Sequence, residues 1–218
     1  MSNQSTLPMT RIQFSKANGI FLVILVLSVW VCLRSLRYYL PTVPFPAPLM
    51  NVKFHYDLIL WHGTTGAIAL FIGIWQFLAP LRNKYPNVHR IAGRIYVAMA
   101  CLSATVAIAL SLHATTGFVA GAGFMFLGLA WFGTTAYSFM AILRRDIATH
   151  QIWMLRSYTL IFSAITLRVY VPLFHALHIP FLIAYPTIAW ICWIPNLLIA
   201  EIMIQRWGKN RMQQQYAQ

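Results

Sequence analysis

Seven histidines and three carboxylates set the chemistry open to this 218-residue chain. With only Asp57, Asp146 and Glu201, paired-carboxylate catalysis and an oxygen-ligated Ca or Mg site are close to excluded. The histidines are spaced more suggestively. His89 and His150 each open an apolar segment, His62 lies four residues into another, and His113 and His175 close two of them. Two histidines from different helices are what a b-type haem needs as axial ligands, with cations near its propionates. An inner pair, His89 and His150, would hold the iron, with Arg94 and Arg156 as propionate partners. An outer site would take His62 with His113 or His175, and Arg168 within reach. His89 and His113 are 24 positions apart, about 36 Å of helix, and a hydrocarbon core is only about 30 Å thick. At least one of the two is therefore interfacial. The plain alternative for any single histidine is an amphipathic ring at headgroup level, and His55 and His178 read that way.

Arg168 is too deep to be a topology marker, and a charge at that depth is a functional hypothesis by default. Its relief is expected from His62 or another polar group of the outer layer, or from snorkelling. Glu201 falls at a depth similar to Arg94 and Arg156, which suggests a structural ion pair or, more sharply, a proton-relay carboxylate. Gln76 belongs to the same inner layer. Cys32, Cys101 and Cys192 sit in apolar stretches without metal-type spacing and read as free thiols.

The elements that must position these residues follow from composition. Hydrophobic residues make up 60% of the chain and charged residues 9%, with a net charge of +13. A soluble domain carries about a quarter charged residues. The sequence predicts an all-α integral membrane protein with six transmembrane helices. Residues 1–18 form an N-terminal tail and 19–40 the first span. A Pro-rich outer link covers 41–57, a four-helix core 58–175, a sixth helix 181–204 and a C-terminal tail 205–218. Within the core the spans run about 58–78, 91–112, 118–143 and 151–174. Twelve of the 16 Lys and Arg residues fall at one end of these segments. The positive-inside rule then places both termini in the cytoplasm, in an inner (plasma) membrane. Cations spread by topology in this way offer no nucleic-acid surface.

The second and fourth segments carry related strings, Trp61-His62-Gly63-Thr64-Thr65-Gly66 and Trp131-Phe132-Gly133-Thr134-Thr135-Ala136. Downstream, Arg94 and Tyr96 match Arg156 and Tyr158, and His113 matches His175, at an offset of 62. This reads as a duplicated hairpin, with the two copies parallel and related about the membrane normal. Glycines such as Gly63, Gly66, Gly73 and Gly128 read as close helix contacts, and Pro186 and Pro195 as kinks in the last helix.

His62-Gly63, Trp75-Gln76-Phe77, the string from His89 to Tyr96, the string from His150 to Tyr158, and Leu167-Arg168-Val169-Tyr170-Val171-Pro172 together resemble a widespread family of bacterial predicted membrane proteins of unknown function. The resemblance covers roughly residues 55–175 and departs at Gln151, where an arginine is expected. It implies architecture and singles out the same residues, but it implies no activity. A looser, fold-level similarity is to di-haem transmembrane b-type cytochromes, which also place histidines near alternating helix ends.

The leading expectation is therefore transmembrane electron transfer through haem b, as part of a membrane oxidoreductase, with a redox partner or a quinone and room for a homo-oligomer. The rival expectation is a non-haem bundle, a small transporter or assembly partner, using its His/Arg/Glu layer as a polar switch.

Overall fold

A computed structural model describes residues 11–40 and 55–216. Every regular element among them is helical. The helices are α1 (Arg11–Ser35), followed by a 3-10 turn (Leu36–Tyr39), α2 (Tyr56–Trp75), the short α3 (Ala79–Lys84), α4 (Pro86–Ser111), α5 (Phe118–Leu143), α6 (Ile147–Ile161), α7 (Ser163–Ala176), α8 (Phe181–Ile191) and α9 (Ile194–Tyr216). Five stretches are long and apolar enough to cross a bilayer: α2, α4, α5, Ile147–Ala176 and Phe181–Trp207. The apolar part of α1, Gly19–Ser35, is shorter. The first ten residues of the expected tail and most of the Pro-rich link, 41–54, lie outside the described residues.

Several boundaries differ from expectation. Helix α4 starts at Pro86 rather than near 91, because a proline is favoured in the first turn of a helix, where its missing N–H costs nothing. His89 and Arg90 therefore lie inside the helix. The segment expected to start near 151 starts at Ile147, where the Asp146 carboxylate accepts from the Thr149 backbone N–H at 3.0 Å and caps the end. The span is interrupted at Phe162, between α6 and α7. The last long stretch, Phe181–Trp207, breaks at Cys192–Trp193. Pro195 lacks the amide hydrogen that would bond four residues back. Beside the break, the Cys192 carbonyl accepts from Thr166 Oγ1 at 2.5 Å and from Asn196 Nδ2 at 2.9 Å.

Consecutive long helices pack side by side: α2 on α4, α4 on α5, and α5 on α6, while α2 also meets α6. This closes a four-membered ring in which α4 and α6 face each other across the diagonal. Helix α1 leans on α2 and α7, α8 on α5, and α9 on α6. Large apolar side chains such as Phe71, Phe126 and Leu129 point outward, as they do where the solvent is lipid. The interior is built instead from small and polar residues, with Ser103, Thr135, Ser138 and Ser157 fully buried beside Ala69, Ala100 and Ala104. Small residues let helices approach closely in lipid, where apolar area alone does not drive association.

The two related strings behave alike in part. Thr65 and Thr135 each donate to the carbonyl four residues back, on Trp61 and Trp131. Tyr96 and Tyr158 both close on Gly73 of α2, where a Cβ would lie 2.7 Å from each ring. Elsewhere the mates diverge. Trp61 is exposed and Trp131 buried. Arg94 is exposed on the bundle surface, whereas Arg156 is tied to α9.

Candidate functional site

Polar side chains collect in two layers, one toward each end of the ring, with a row of hydroxyls between them. The two ends differ in arginine content.

In the arginine-poor half, His62 of α2 is clamped against Ser103 of α4. Ser103 Oγ has one proton and gives it to the His62 carbonyl at 3.0 Å. The ring Nδ1 therefore donates, to Ser103 Oγ at 3.0 Å and to the Ser103 carbonyl at 3.1 Å. This fixes the tautomer, and in the neutral ring Nε2 keeps a lone pair. Gly66, one turn along, makes the approach possible, since a Cβ there would sit 3.0 Å from Ser103 Oγ. The same clamp recurs at the other end. Ser138 Oγ of α5 donates to the His150 carbonyl at 3.0 Å, while His150 Nδ1 lies 3.0 Å from both Ser138 Oγ and the Ser138 carbonyl. In each case Nε2 is the nitrogen left for other work.

His62 lines a cavity of about 260 Å³ among α1, α2, α4, α5, α7 and α8. Arg168 lines the same cavity from α7. Its guanidinium donates to the Ala164 carbonyl at 2.9 Å and to Ser35 Oγ at 3.3 Å, which ties α7 to the end of α1. The rest of the wall is mainly apolar, including Leu70, Leu127 and Phe124, with Ser111, Ser163 and Thr115 interspersed. The structure does not bring the expected outer ligand set together. His113 and His175 are exposed at helix ends and line no part of this cavity. His113 instead stacks on His55, ring centres 3.8 Å apart.

In the arginine-rich half, His89 of α4 and His150 of α6 stand on diagonal helices. His89 lies within electrostatic range of His150, Arg82 and Arg90. His89 Nδ1 and Gln76 Nε2 are buried with no hydrogen-bond partner among the described residues. Gln76 reaches across Gly93, one turn along from His89, where a Cβ would lie 3.3 Å from Gln76 Oε1. The expected propionate partners are placed differently. Arg94 is exposed. Arg156 grips Glu201 bidentately, Nε to Oε1 at 2.6 Å and Nη2 to Oε2 at 2.9 Å, with its guanidinium 4.4 Å from the Trp153 ring centre. The ion pair expected of Glu201 is thus present, on Arg156. No group of three or more His, Cys, Asp or Glu among the described residues is placed to hold a metal ion.

Between the layers, Tyr96 Oη and Ser157 Oγ lie 2.7 Å apart, and Ser157 Oγ and Thr135 Oγ1 2.7 Å apart. This row joins α4, α6 and α5 at the middle of the bundle. The histidines and arginines stand out in the sequence, and their serine partners do not. A serine in an apolar helix has no distinctive spacing; the signal that could have found Ser103 and Ser138 is that each shares an inward face with buried alanines of its helix.

A family model described as "predicted membrane protein (DUF2306)" matches residues 59–204. No curated protein and no solved structure matches the chain, so the likeness to di-haem cytochromes gains no support.

Proposed function

The chain belongs to this family of predicted membrane proteins, and from that premise we propose that it binds a small, largely apolar molecule in the arginine-poor half of its bundle and carries it in or across the bilayer. The observation behind this reading is one cavity of about 260 Å³ lined by both Arg168 and His62. Ligand sites are typically apolar hollows with a few convergent polar groups, and membrane carriers often place them beside interrupted helices. Ser163 and Ala164, at the start of α7 just past the Phe162 interruption, form part of the wall. In this reading α1 supplies a sixth crossing and α2 to α6/α7 are two copies of one hairpin. Both termini face the cytoplasm of an inner membrane, because the arginine-rich end is the cytoplasmic one. Ala107 of α4 lines the cavity, so Ala107→Trp puts a large side chain into it while both Arg168 and His62 are kept. Native mass spectrometry of protein in lipid nanodiscs is expected to show a bound small molecule on the wild type and none on Ala107→Trp. Identical spectra for the two proteins would remove the cavity as the site.

A second reading is favoured by one observation at the other end, the buried His89 Nδ1, which has no hydrogen-bond partner among the described residues and lies within electrostatic range of His150 on the diagonal helix. His150 Nδ1 is tied to the Ser138 carbonyl, the support that a ligating histidine normally has behind it. His89 and His150 would hold a haem b, which would supply one-electron transfer. The Tyr96–Gly73–Tyr158 contact fills the middle of the core, so such a group would sit beyond it, toward the arginine-rich end. Protein purified from haem-replete cells would then show a Soret band that sharpens on dithionite reduction and is lost in His89→Ala and in His150→Ala. A colourless preparation would end this reading.

A further inference from the structure

The composition of the cavity wall narrows what it would hold. We infer that its ligand is an amphipathic monoanion, a carboxylate or comparably charged head on an apolar body, seated with its head at Arg168. This inference rests on the binding reading above and adds the chemical class.

Three features support it. First, Arg168 brings a permanent positive charge to an otherwise mainly apolar wall, and the attraction for an anion strengthens as the surroundings lose water. A guanidinium also matches a carboxylate as a two-pronged donor. Second, Arg168 is held in place by the Ala164 carbonyl and Ser35 Oγ. These contacts anchor it between α7 and α1 and hold it back from snorkelling freely to the surface. Third, the polar wall groups are unevenly matched to a ligand. Ser103 keeps His62 Nδ1, so Nε2 is the ring nitrogen left to meet a ligand. Thr115 Oγ1, in the same wall, is buried with no hydrogen-bond partner among the described residues. A charged head brings several acceptor oxygens to the guanidinium, and a wall hydroxyl such as Thr115 has a proton to give. An apolar body then covers Leu70, Leu127 and Phe124. The cavity volume lies below the usual range for drug-sized ligands, about 300–1,000 Å³, so the body is short.

Octanoate and its neutral counterpart octanol serve as probes of nearly equal size. Equilibrium binding of labelled octanoate is measured to the full-length protein in nanodiscs of zwitterionic lipid. Saturable binding is expected, and octanol should compete at least tenfold more weakly. Arg168→Gln should weaken octanoate about 10- to 100-fold and leave octanol unchanged, with Arg168→Lys in between. If Arg168→Gln does not fold, the comparison of the two probes on wild-type protein decides alone. Octanol binding as tightly as octanoate, with both blocked by Ala107→Trp, overturns the anionic class and leaves the cavity reading standing. Absence of saturable binding by either probe, with wild type and Ala107→Trp alike, overturns both.

Discussion

Gly73→Leu is expected to abolish accumulation of folded protein, and Gly73→Ala to lower its stability by about 1–3 kcal/mol, the usual cost of forcing an extra group into a packed interior. The reason is local. A Cβ at Gly73 would lie 2.7 Å from ring carbons of both Tyr96 and Tyr158. Neither ring can swing aside cheaply. Tyr96 is 0% exposed and bonded to Ser157 at its hydroxyl, and Tyr158 is 7% exposed. The space cannot come from the far end of a flexible side chain, so helices must part. Gly133 is the control. It is also mid-helix, but nothing lies within 4 Å of its added Cβ. Gly133→Ala should be neutral or raise stability by about 0.5–1 kcal/mol, since glycine weakens a helix interior by that amount. Thermal unfolding in nanodiscs separates the two. Equal effects at 73 and 133 would show that the Tyr96–Gly73–Tyr158 contact is not tight.

The second large effect is expected at the Arg156–Glu201 pair. Glu201→Ala removes both acceptors of a bidentate guanidinium, and hydrogen bonds to charged groups are worth about 1.5–3 kcal/mol each when buried. The side chains here are 20% and 35% exposed. Water therefore compensates in part, and the expected loss is about 1–2 kcal/mol, below the roughly 3–5 kcal/mol of a fully buried pair. Arg156→Leu alone should cost a similar amount. The double variant Arg156→Leu/Glu201→Leu should recover much of it, because replacing both members of a pair with apolar groups is close to neutral. If the double variant cost the sum of Arg156→Leu and Glu201→Leu measured singly, the two side chains would not be coupled. If Glu201→Gln matched the wild type, the charge on Glu201 would contribute nothing to the α6–α9 contact.

The sequence was informative where chemistry and periodicity coincide. Helix α5 spans the expected 118–143 because glycines inside a long apolar run break nothing in lipid and its ends are marked by Gly117 and Arg144. Arg168 stands out in the sequence as an arginine inside an apolar segment, and the structure places it on one cavity with His62. Glu201 was identifiable as an ion-pair member by depth alone, and the pairing with Arg156 rather than exposed Arg94 follows from α9 packing on α6. The pairing of His62 with His113 or His175 was not legible, because distance along a helix says nothing about which way a ring turns. His113 turned to His55. The serine clamps, the hydroxyl row and the diagonal placement of α4 and α6 are tertiary facts, set by which small residues let which helices touch. The breaks at Phe162 and Cys192 were half visible. Pro195 announces the second; no residue of the first is a helix breaker, and the structure offers no local cause for it.

High-resolution electron cryomicroscopy of the full-length protein in nanodiscs, with octanoate present, tests most directly whether the hollow beside Arg168 and His62 takes a ligand with an anionic end. The expected result is density inside the cavity with its polar end within hydrogen-bond distance of the Arg168 guanidinium, and loss of that density in Ala107→Trp. A cavity collapsed by closure of α7 on α2, or one filled by a lipid tail with no polar group near Arg168, would contradict it.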